Sequence, residues 1–193
     1  MAGTKTKIKG NNYLGKYISY NQYFSPAECK QIISLLGETA PSLLSQAGED
    51  QVSDTYVRNS TSTYIGKDGE SEWLFDRIET MMWDANQYYR FDIKYIAKLQ
   101  VIKYNEGDFF NWHLDIGEGE SSTRKLSLIS FLSDPSEYEG GDLRVGISSH
   151  LAQFEQHQGS AIVFPSYIPH VVEKVTKGTR YSLVAWIHGP SFR

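Results

Sequence analysis

The stretch Tyr104–Asp115, with the sequence YNEGDFFNWHLD, ends in a histidine and an aspartate separated by one residue. Residues i and i+2 of a β-strand point to the same face of a sheet. We therefore expect a strand that turns His113 and Asp115 toward one metal ion, with Leu114 pointing away. Because an HxD pair arises easily by chance, it predicts a metal site only together with the sequence around it.

A second histidine and an arginine complete the pattern. His170 precedes two valines, and Arg180 stands ten positions later. Two imidazoles and one carboxylate leave half of an octahedral coordination sphere open, which is the facial triad of non-haem iron oxygenases. The planar guanidinium of Arg180 then offers a fork for the carboxylate of an acidic co-substrate. A lone histidine is more often structural, so the case for His170 rests on the neighbouring motifs.

Three such motifs follow the HxD pair in order: EGGDL at Glu139–Leu143, GSAIVFP at Gly159–Pro165 and RYSLVAW at Arg180–Trp186. From about residue 101 to residue 186 the chain resembles the iron- and 2-oxoglutarate-dependent dioxygenases. The resemblance is to the prolyl 4-hydroxylase-like branch and its bacterial PKHD-type hydroxylases, and it weakens toward the N-terminus. It implies a mainly β fold with flanking helices, namely the double-stranded β-helix or jelly roll.

The resemblance also implies a set of cofactors and the residues that hold them. His113, Asp115 and His170 would bind Fe(II), with 2-oxoglutarate and O2 as co-substrates and ascorbate as a reductant that supports the iron. Arg180 matches the basic residue that meets the distal carboxylate of 2-oxoglutarate. Tyr104 matches a tyrosine whose hydroxyl reaches the same carboxylate, although packing in the core is an equal alternative for it. Arg124 and Ser127 also match the strand that follows the HxD loop.

Arg58, Tyr64 and Trp186 are the residues expected to contact the substrate. The segment from Asp54 to Ser60 resembles the arginine-and-serine segment beside the peptide groove of prolyl hydroxylases, and Tyr64 suits stacking on a proline ring. Trp186 matches a tryptophan near the substrate cleft, with packing as the alternative. This favours hydroxylation of a peptidyl proline, with release of succinate and CO2. A solvated loop with exposed tyrosines is the alternative for residues 54–64.

Other functions stay open on the same residues. The scaffold would equally support a hydroxylase of a small molecule or of another amino-acid residue. A cupin-like metal-binding module without oxygenase activity is the third hypothesis, and the position of Arg180 argues against it. The nucleic-acid demethylase branch of the family carries a second arginine shortly after the co-substrate arginine, whereas here the next arginine after Arg180 is Arg193. Because the net charge is also −4, we disfavour that function. We expect neither nucleic acid nor a membrane as a partner.

Composition agrees with a single domain over residues 1–193. The chain has 40% hydrophobic and 22% charged residues, which suffices for one sizeable core. Cys29 is the only cysteine, so no intramolecular disulfide can form. The sequence has no long apolar run and no signal-peptide pattern, so we expect a cytoplasmic protein.

The chain divides into a helical and loop-rich support over about 1–97 and a motif-bearing core over about 98–188. SPAE at Ser25–Glu28 reads as a capping box and predicts a helix over about 25–37, and apolar spacing predicts a second over about 71–89. Residues 41–70 suggest a loop or short strands and allow a mobile lid. Beyond them, short Val-, Ile-, Tyr- and Phe-rich runs predict strands at 99–104, 125–132, 142–145, 160–164, 171–175 and 181–187. Repeated short strands favour a sandwich or barrel.

Overall fold

The computed structural model of the chain describes residues 5–6, 17–42, 55–146, 151 and 154–192. The helices in this part are α1 (Pro26–Ser34) and α2 (Glu72–Tyr89), with 3-10 turns at Gly119–Thr123 and Pro135–Glu137. The strands are β1 (Lys5–Thr6), β2 (Ile18–Tyr20), β3 (Ala40–Pro41), β4 (Arg58–Asn59), β5 (Thr61–Ile65), β6 (Tyr95–Tyr104), β7 (Phe109–His113), β8 (Arg124–Phe131), β9 (Tyr138–Gly140), β10 (Leu143–Val145), β11 (Ala161–Pro165), β12 (His170–Val172), β13 (Val175–Gly178) and β14 (Arg180–His188).

Two antiparallel sheets form the body of the fold. The larger sheet has the strand order β1-β2-β11-β8-β14-β6-β5-β3, and the smaller one has the order β10-β12-β7-β4. Strands β13 and β9 form a separate two-stranded ribbon. Strands from both sheets contribute to one buried apolar cluster, so the two sheets pack face to face. Two packed antiparallel sheets are the sandwich that the repeated short strands favour, and they agree with the double-stranded β-helix that the family resemblance implies.

The larger sheet is buried on both faces, as the alternation along β14 illustrates. Leu183, Ala185 and Ile187 belong to the core that α1 and α2 cover. Val184 and Trp186 belong to the cluster between the sheets. A strand buried on both faces reads as a nearly continuous apolar run, which is why the sequence alone does not divide its residues between the two faces.

Both predicted helices are confirmed, and they brace the larger sheet. Ser25 Oγ accepts a hydrogen bond from the Glu28 N–H at 3.2 Å, and Glu28 Oε2 accepts one from the Ser25 N–H at 2.7 Å. This reciprocal pair is the predicted capping box. The two helices bury Ile32, Leu74 and Ile78 against the sheet. Within the described residues, neither helix is long and apolar enough to cross a lipid bilayer.

The strand predictions hold with one correction and several additions. The strand predicted over 171–175 is divided, because β12 pairs with β7 and β10 whereas β13 pairs with β9. At the bend between them, Glu173 donates a backbone hydrogen bond to Asp142 and Lys174 accepts one from Gly141. Strand β2 was missed because three residues carry too little periodicity. Within 41–70, the short strands β4 and β5 are confirmed; residues 43–54 lie outside the described part, and the lid stays a prediction.

The capping box should contribute measurably to stability. We expect Ser25→Ala to lower the free energy of unfolding by about 1 kcal/mol, because the Glu28 N–H loses its acceptor. Ser34→Ala is the matched control, since Ser34 is an exposed serine at the other end of α1 whose replacement should change stability by less than about 0.5 kcal/mol. Urea unfolding of both variants measures the difference. Equal unfolding midpoints for the two variants would contradict this account of the helix start.

Candidate active site

Two neighbouring strands of the smaller sheet position the predicted histidines. His113 is the last residue of β7, His170 is the first of β12, and the two are direct partners across the antiparallel pair. Asp115 lies beyond the end of β7, so the expectation of one strand carrying both members of the HxD pair was wrong. Its backbone N–H instead donates to the Ser166 carbonyl at 3.1 Å, which fixes the turn after the strand.

The three predicted ligands meet despite this different route. Their donor atoms all lie within 4.8 Å of one another. His113 Nε2 is 3.8 Å from Asp115 Oδ1, and His170 Nε2 is 3.5 Å from Asp115 Oδ2. Two imidazole nitrogens and a carboxylate oxygen converging on one point are the donor set of the facial triad. The residues therefore fit an Fe(II) ion.

Hydrogen bonds select the ring nitrogen that each histidine offers. His113 Nδ1 is 2.7 Å from the Asn111 carbonyl oxygen, and His170 Nδ1 is 3.1 Å from the Ile168 carbonyl oxygen. A carbonyl oxygen can only accept, so each Nδ1 carries the proton and donates it. Each Nε2 then presents its lone pair to the metal position, as a ligand must.

Burial and mutual electrostatics favour the protonation states that bind a metal. Burial, together with the neighbouring His170, lowers the pKa of His113 to about 3. Burial by itself raises the pKa of Asp115, but His170, His113 and the hydrogen bond from Ser127 outweigh it, so that pKa is lowered. At neutral pH the site therefore holds a neutral His113 imidazole and an ionised Asp115 carboxylate.

Two residues of β8 hold Asp115 in place. Ser127, which is fully buried, donates from Oγ to Asp115 Oδ2 at 2.6 Å and lies 3.0 Å from Ser166 Oγ. Arg124 Nη1 donates to the Asp115 carbonyl oxygen at 3.1 Å, and its guanidinium carbon is 3.9 Å from the ring centroid of Trp186. The sequence had indicated Arg124 and Ser127 only by their match to the family strand. Nothing in it indicated Ser166.

An inner cavity extends from the triad between the two sheets. It encloses about 370 Å³, including its open mouth, and ends at Arg180, which is 1% exposed. Among the described residues, none of the three guanidinium nitrogens of Arg180 has a hydrogen-bond partner. Tyr104 is its cross-strand partner on β6, with the ring centroid 5.3 Å from the guanidinium carbon. A buried guanidinium without acceptors is unfavourable until an anion arrives, so the cavity fits a carboxylate at this end.

Gly141 allows Arg180 to lie where it does. Gly141 has φ +68°, in the left-handed region, and an added Cβ would lie 2.9 Å from Arg180 Cδ and from Val175 Cγ2. Gly140 also has a positive φ, of +72°, a conformation that glycine adopts without the strain other residues would have. The structure adds a packing reason, because the second glycine leaves room for the arginine side chain.

An outer groove of about 750 Å³, including its opening to solvent, shares His113 and Asp115 with the inner cavity. Arg58, Tyr64 and Trp186, the predicted substrate residues, all line it, together with Arg124 and others. Two further residues that the sequence did not single out, Gln100 and Phe110, line both the groove and the inner cavity. The Phe110 ring stacks on His113 with centroids 3.4 Å apart. Although the opening motif contains two phenylalanines, its sequence does not say which one faces the metal site.

Residues 99–188 match the family model of the 2OG-Fe(II) oxygenase superfamily. The match covers just under half of the chain and includes His113, Asp115, His170 and Arg180. The relatives of the chain include a PKHD-type hydroxylase of Prochlorococcus marinus, 40% identical over 44% of this chain and 38% of the relative. A PKHD-type hydroxylase of Thermosynechococcus vestitus is 35% identical over 63% of this chain and 57% of the relative. The chain thus spans about two fifths to three fifths of the length of these relatives.

Solved structures agree on the fold. A prolyl-4-hydroxylase of Pseudomonas putida superposes with a TM-score of 0.69 at 19% identity, covering 91% of this chain and 93% of the other. A prolyl hydroxylase of Trichoplax adhaerens, solved with a hypoxia inducible factor peptide fragment, gives a TM-score of 0.75 at 16% identity, covering 90% and 83%. The resemblance to this family and the jelly-roll fold are both confirmed.

The pH dependence of the stability of the metal-free protein should report the buried His113. In the unfolded chain His113 takes up a proton near pH 6.5, whereas in the folded protein it resists protonation down to about pH 3. The contribution of this group to the free energy of unfolding is therefore fully present above pH 6.5. It falls by about 2 kcal/mol between pH 7 and pH 5. Urea titrations at the two pH values should show a smaller loss in His113→Gln than in the wild type.

His157→Gln controls for the loss of an exposed imidazole outside the cavity. If His113→Gln and the wild type lose the same stability on acidification, His113 is not held neutral by the fold.

The metal affinity of the protein should depend on Ser127. We expect Ser127→Ala to weaken Mn²⁺ binding by about tenfold, because Asp115 Oδ2 loses the donor that orients it. Ser130→Ala is the matched control: Ser130 is equally buried on the same strand but donates to the Ser160 carbonyl instead. Isothermal titration with Mn²⁺ measures both. Equal dissociation constants for the two variants would show that Ser127 does not support metal binding.

Proposed function

We propose that this chain is an Fe(II)- and 2-oxoglutarate-dependent hydroxylase. One observation carries the proposal: a His-Asp-His cluster and a buried, unpartnered Arg180 line the same cavity. A metal-binding module without catalysis needs the cluster but has no use for a desolvated guanidinium beside it. A co-substrate that is both a metal chelator and a dicarboxylate accounts for both features. The match of residues 99–188 to the 2OG-Fe(II) oxygenase superfamily supports the same conclusion.

Each residue of the cavity has a separate task in this proposal. His113, Asp115 and His170 would hold the metal at one end of the cavity, where the co-substrate could reach it. Bound Fe(II), with 2-oxoglutarate and O2, supplies the oxidative hydroxylation chemistry, releasing succinate and CO2. Arg180 binds the distal carboxylate in a site shielded from water, where a charge-assisted bidentate contact is strongest.

The remaining lining residues orient the co-substrate and exclude water. Tyr104 flanks Arg180 and is 1% exposed, so its ring closes that end of the cavity. Phe110 covers one face of His113, and Val172 and Val184 complete the apolar wall. A dry wall strengthens the electrostatic contacts inside it and limits unproductive loss of reactive species.

We further propose a peptide substrate, with a prolyl residue as the hydroxylated group. The outer groove is open and carries the aromatic rings of Tyr64 and Trp186, which suit an extended peptide with a proline ring. The curated relatives are PKHD-type hydroxylases, and one structural neighbour was solved with a peptide fragment. A small molecule or another amino-acid residue is the alternative substrate. Support of the iron by ascorbate, a cytoplasmic location and a single domain stay predictions.

Succinate formation tests the proposed function. Protein loaded with Fe(II) under anaerobic conditions, then given 2-oxoglutarate and O2, should produce succinate, and proline-containing peptides should stimulate it. Asp115→Ala should abolish turnover by removing a metal ligand, and Arg180→Gln should raise the KM for 2-oxoglutarate at least about tenfold. Mass spectrometry of the peptide then locates the added oxygen.

The outcomes separate the hypotheses. Iron-dependent succinate formation without peptide stimulation would retain the oxygenase and favour the small-molecule substrate. No iron-dependent decarboxylation under any condition would contradict the proposal and favour the cupin-like module.

A further inference from the structure

Arg58 is a buried cation beside the metal site that is used by neither the triad nor the co-substrate contact. It is 6% exposed, and its side chain lines both the inner cavity and the outer groove. Its guanidinium carbon lies 4.6 Å from the ring centroid of Phe110, which in turn stacks on His113. One aromatic ring therefore separates this charge from a proposed metal ligand.

A chain of buried serines holds Arg58 in this position. Arg58 Nε donates to Ser60 Oγ at 2.9 Å, and Ser60 Oγ donates to Ser42 Oγ at 2.9 Å. Ser42 Oγ continues to Ser62 Oγ at 3.0 Å, where Gln100 Nε2 also donates at 2.9 Å. All of these side chains are buried. Because Nε is engaged in this chain, the Nη1 and Nη2 edge of the guanidinium is left for another acceptor.

That acceptor is missing from the described part of the chain. Arg58 forms no ion pair there, and its buried Nη2 has no hydrogen-bond partner among those residues. Apart from two histidines and two tyrosines, the ionisable side chains along the two cavities are three arginines and one carboxylate, that of Asp115. A divalent metal and a doubly charged co-substrate cancel each other, so the excess positive charge persists in the loaded site. A buried arginine without an anion is unfavourable, so a negatively charged ligand group is expected here.

We propose that Arg58 binds a carboxylate of the substrate, so that the outer groove selects an acidic substrate. This inference rests on the proposed function, because it assigns the substrate of the same site. The Nη1 and Nη2 edge suits a bidentate contact with both carboxylate oxygens, which an amide cannot reproduce. The carboxylate has two possible sources: an acidic side chain next to the hydroxylated residue of a peptide, or the α-carboxylate of a free amino acid.

Paired probes that differ only in this group test the proposal. The first pair is the blocked peptides acetyl-Gly-Pro-Glu-Gly-amide and acetyl-Gly-Pro-Gln-Gly-amide, and the second pair is L-proline and L-prolinamide. Calorimetric titration into wild-type protein loaded with Mn²⁺ and 2-oxoglutarate gives the dissociation constants without turnover. We expect the carboxylate member of at least one pair to bind about tenfold or more tightly than its amide partner. The pair that shows the preference identifies the source.

Two variants assign the preference to a residue. Arg58→Gln should abolish the preference for the carboxylate, whereas Arg58→Lys, which retains the charge without the fork, should keep part of it. Arg144→Gln is the matched control, because Arg144 is an exposed arginine paired with Glu173 away from both cavities. It should bind both members of each pair as the wild type does.

The wild-type comparison keeps the proposal falsifiable even if Arg58→Gln does not fold. If no carboxylate probe binds more tightly than its amide partner, the proposal is wrong. A carboxylate preference that persists in Arg58→Gln would assign the contact to Arg124 instead, and this result would also contradict the proposal. The outcome is independent of the oxygenase test, because succinate formation without a charge preference rejects only this inference. A charge preference without iron-dependent succinate formation rejects the proposed function, and it retains the carboxylate contact of Arg58 as a binding site without assigning a hydroxylation substrate.

Discussion

The pairing of β7 with β12 is the constraint on which the candidate site depends. It sets His113 directly opposite His170, and both rings turn into the space between the sheets. A slip of one residue would move one imidazole to the other face of the smaller sheet and leave no metal site. The same backbone supplies the carbonyls of Asn111 and Ile168 that fix both histidine tautomers, so strand register and ligand chemistry are determined together.

The packing of the larger sheet offsets the unfavourable free energy of keeping Arg180 buried without an acceptor. One of its faces is an apolar core against the helices, and its other face carries Arg180 on β14 beside Tyr104 on β6. Leaving buried donors unsatisfied costs about 1–3 kcal/mol for each group. Burial of the two apolar clusters offsets this unfavourable free energy. The fold can therefore hold an unpaired buried charge at a ligand site before the ligand binds. Arg58, fixed by its serine chain, is a second instance of the same arrangement.

The sequence identified the residues whose chemistry is unusual. It did not identify those whose role depends on where the fold places them. His113, Asp115, His170 and Arg180 are recognisable because few other functions use that set in that order. Gln100 and Phe110 resemble ordinary strand residues, and only the register between strands places them in the cavities. The expectation that one strand carries the HxD pair failed because β7 ends at His113, and a backbone contact to Ser166, distant in sequence, turns Asp115 inward instead. The helices were predictable because capping and periodicity are local properties.

The central claim is that one cavity holds a metal on the triad and a dicarboxylate between that metal and Arg180. A crystal structure of the protein grown anaerobically with Mn²⁺ and 2-oxoglutarate tests it most directly. The account predicts an anomalous scattering peak within bonding distance of His113, Asp115 and His170, and a distal carboxylate on the guanidinium of Arg180. A metal bound elsewhere, or 2-oxoglutarate density that does not reach Arg180, would contradict it.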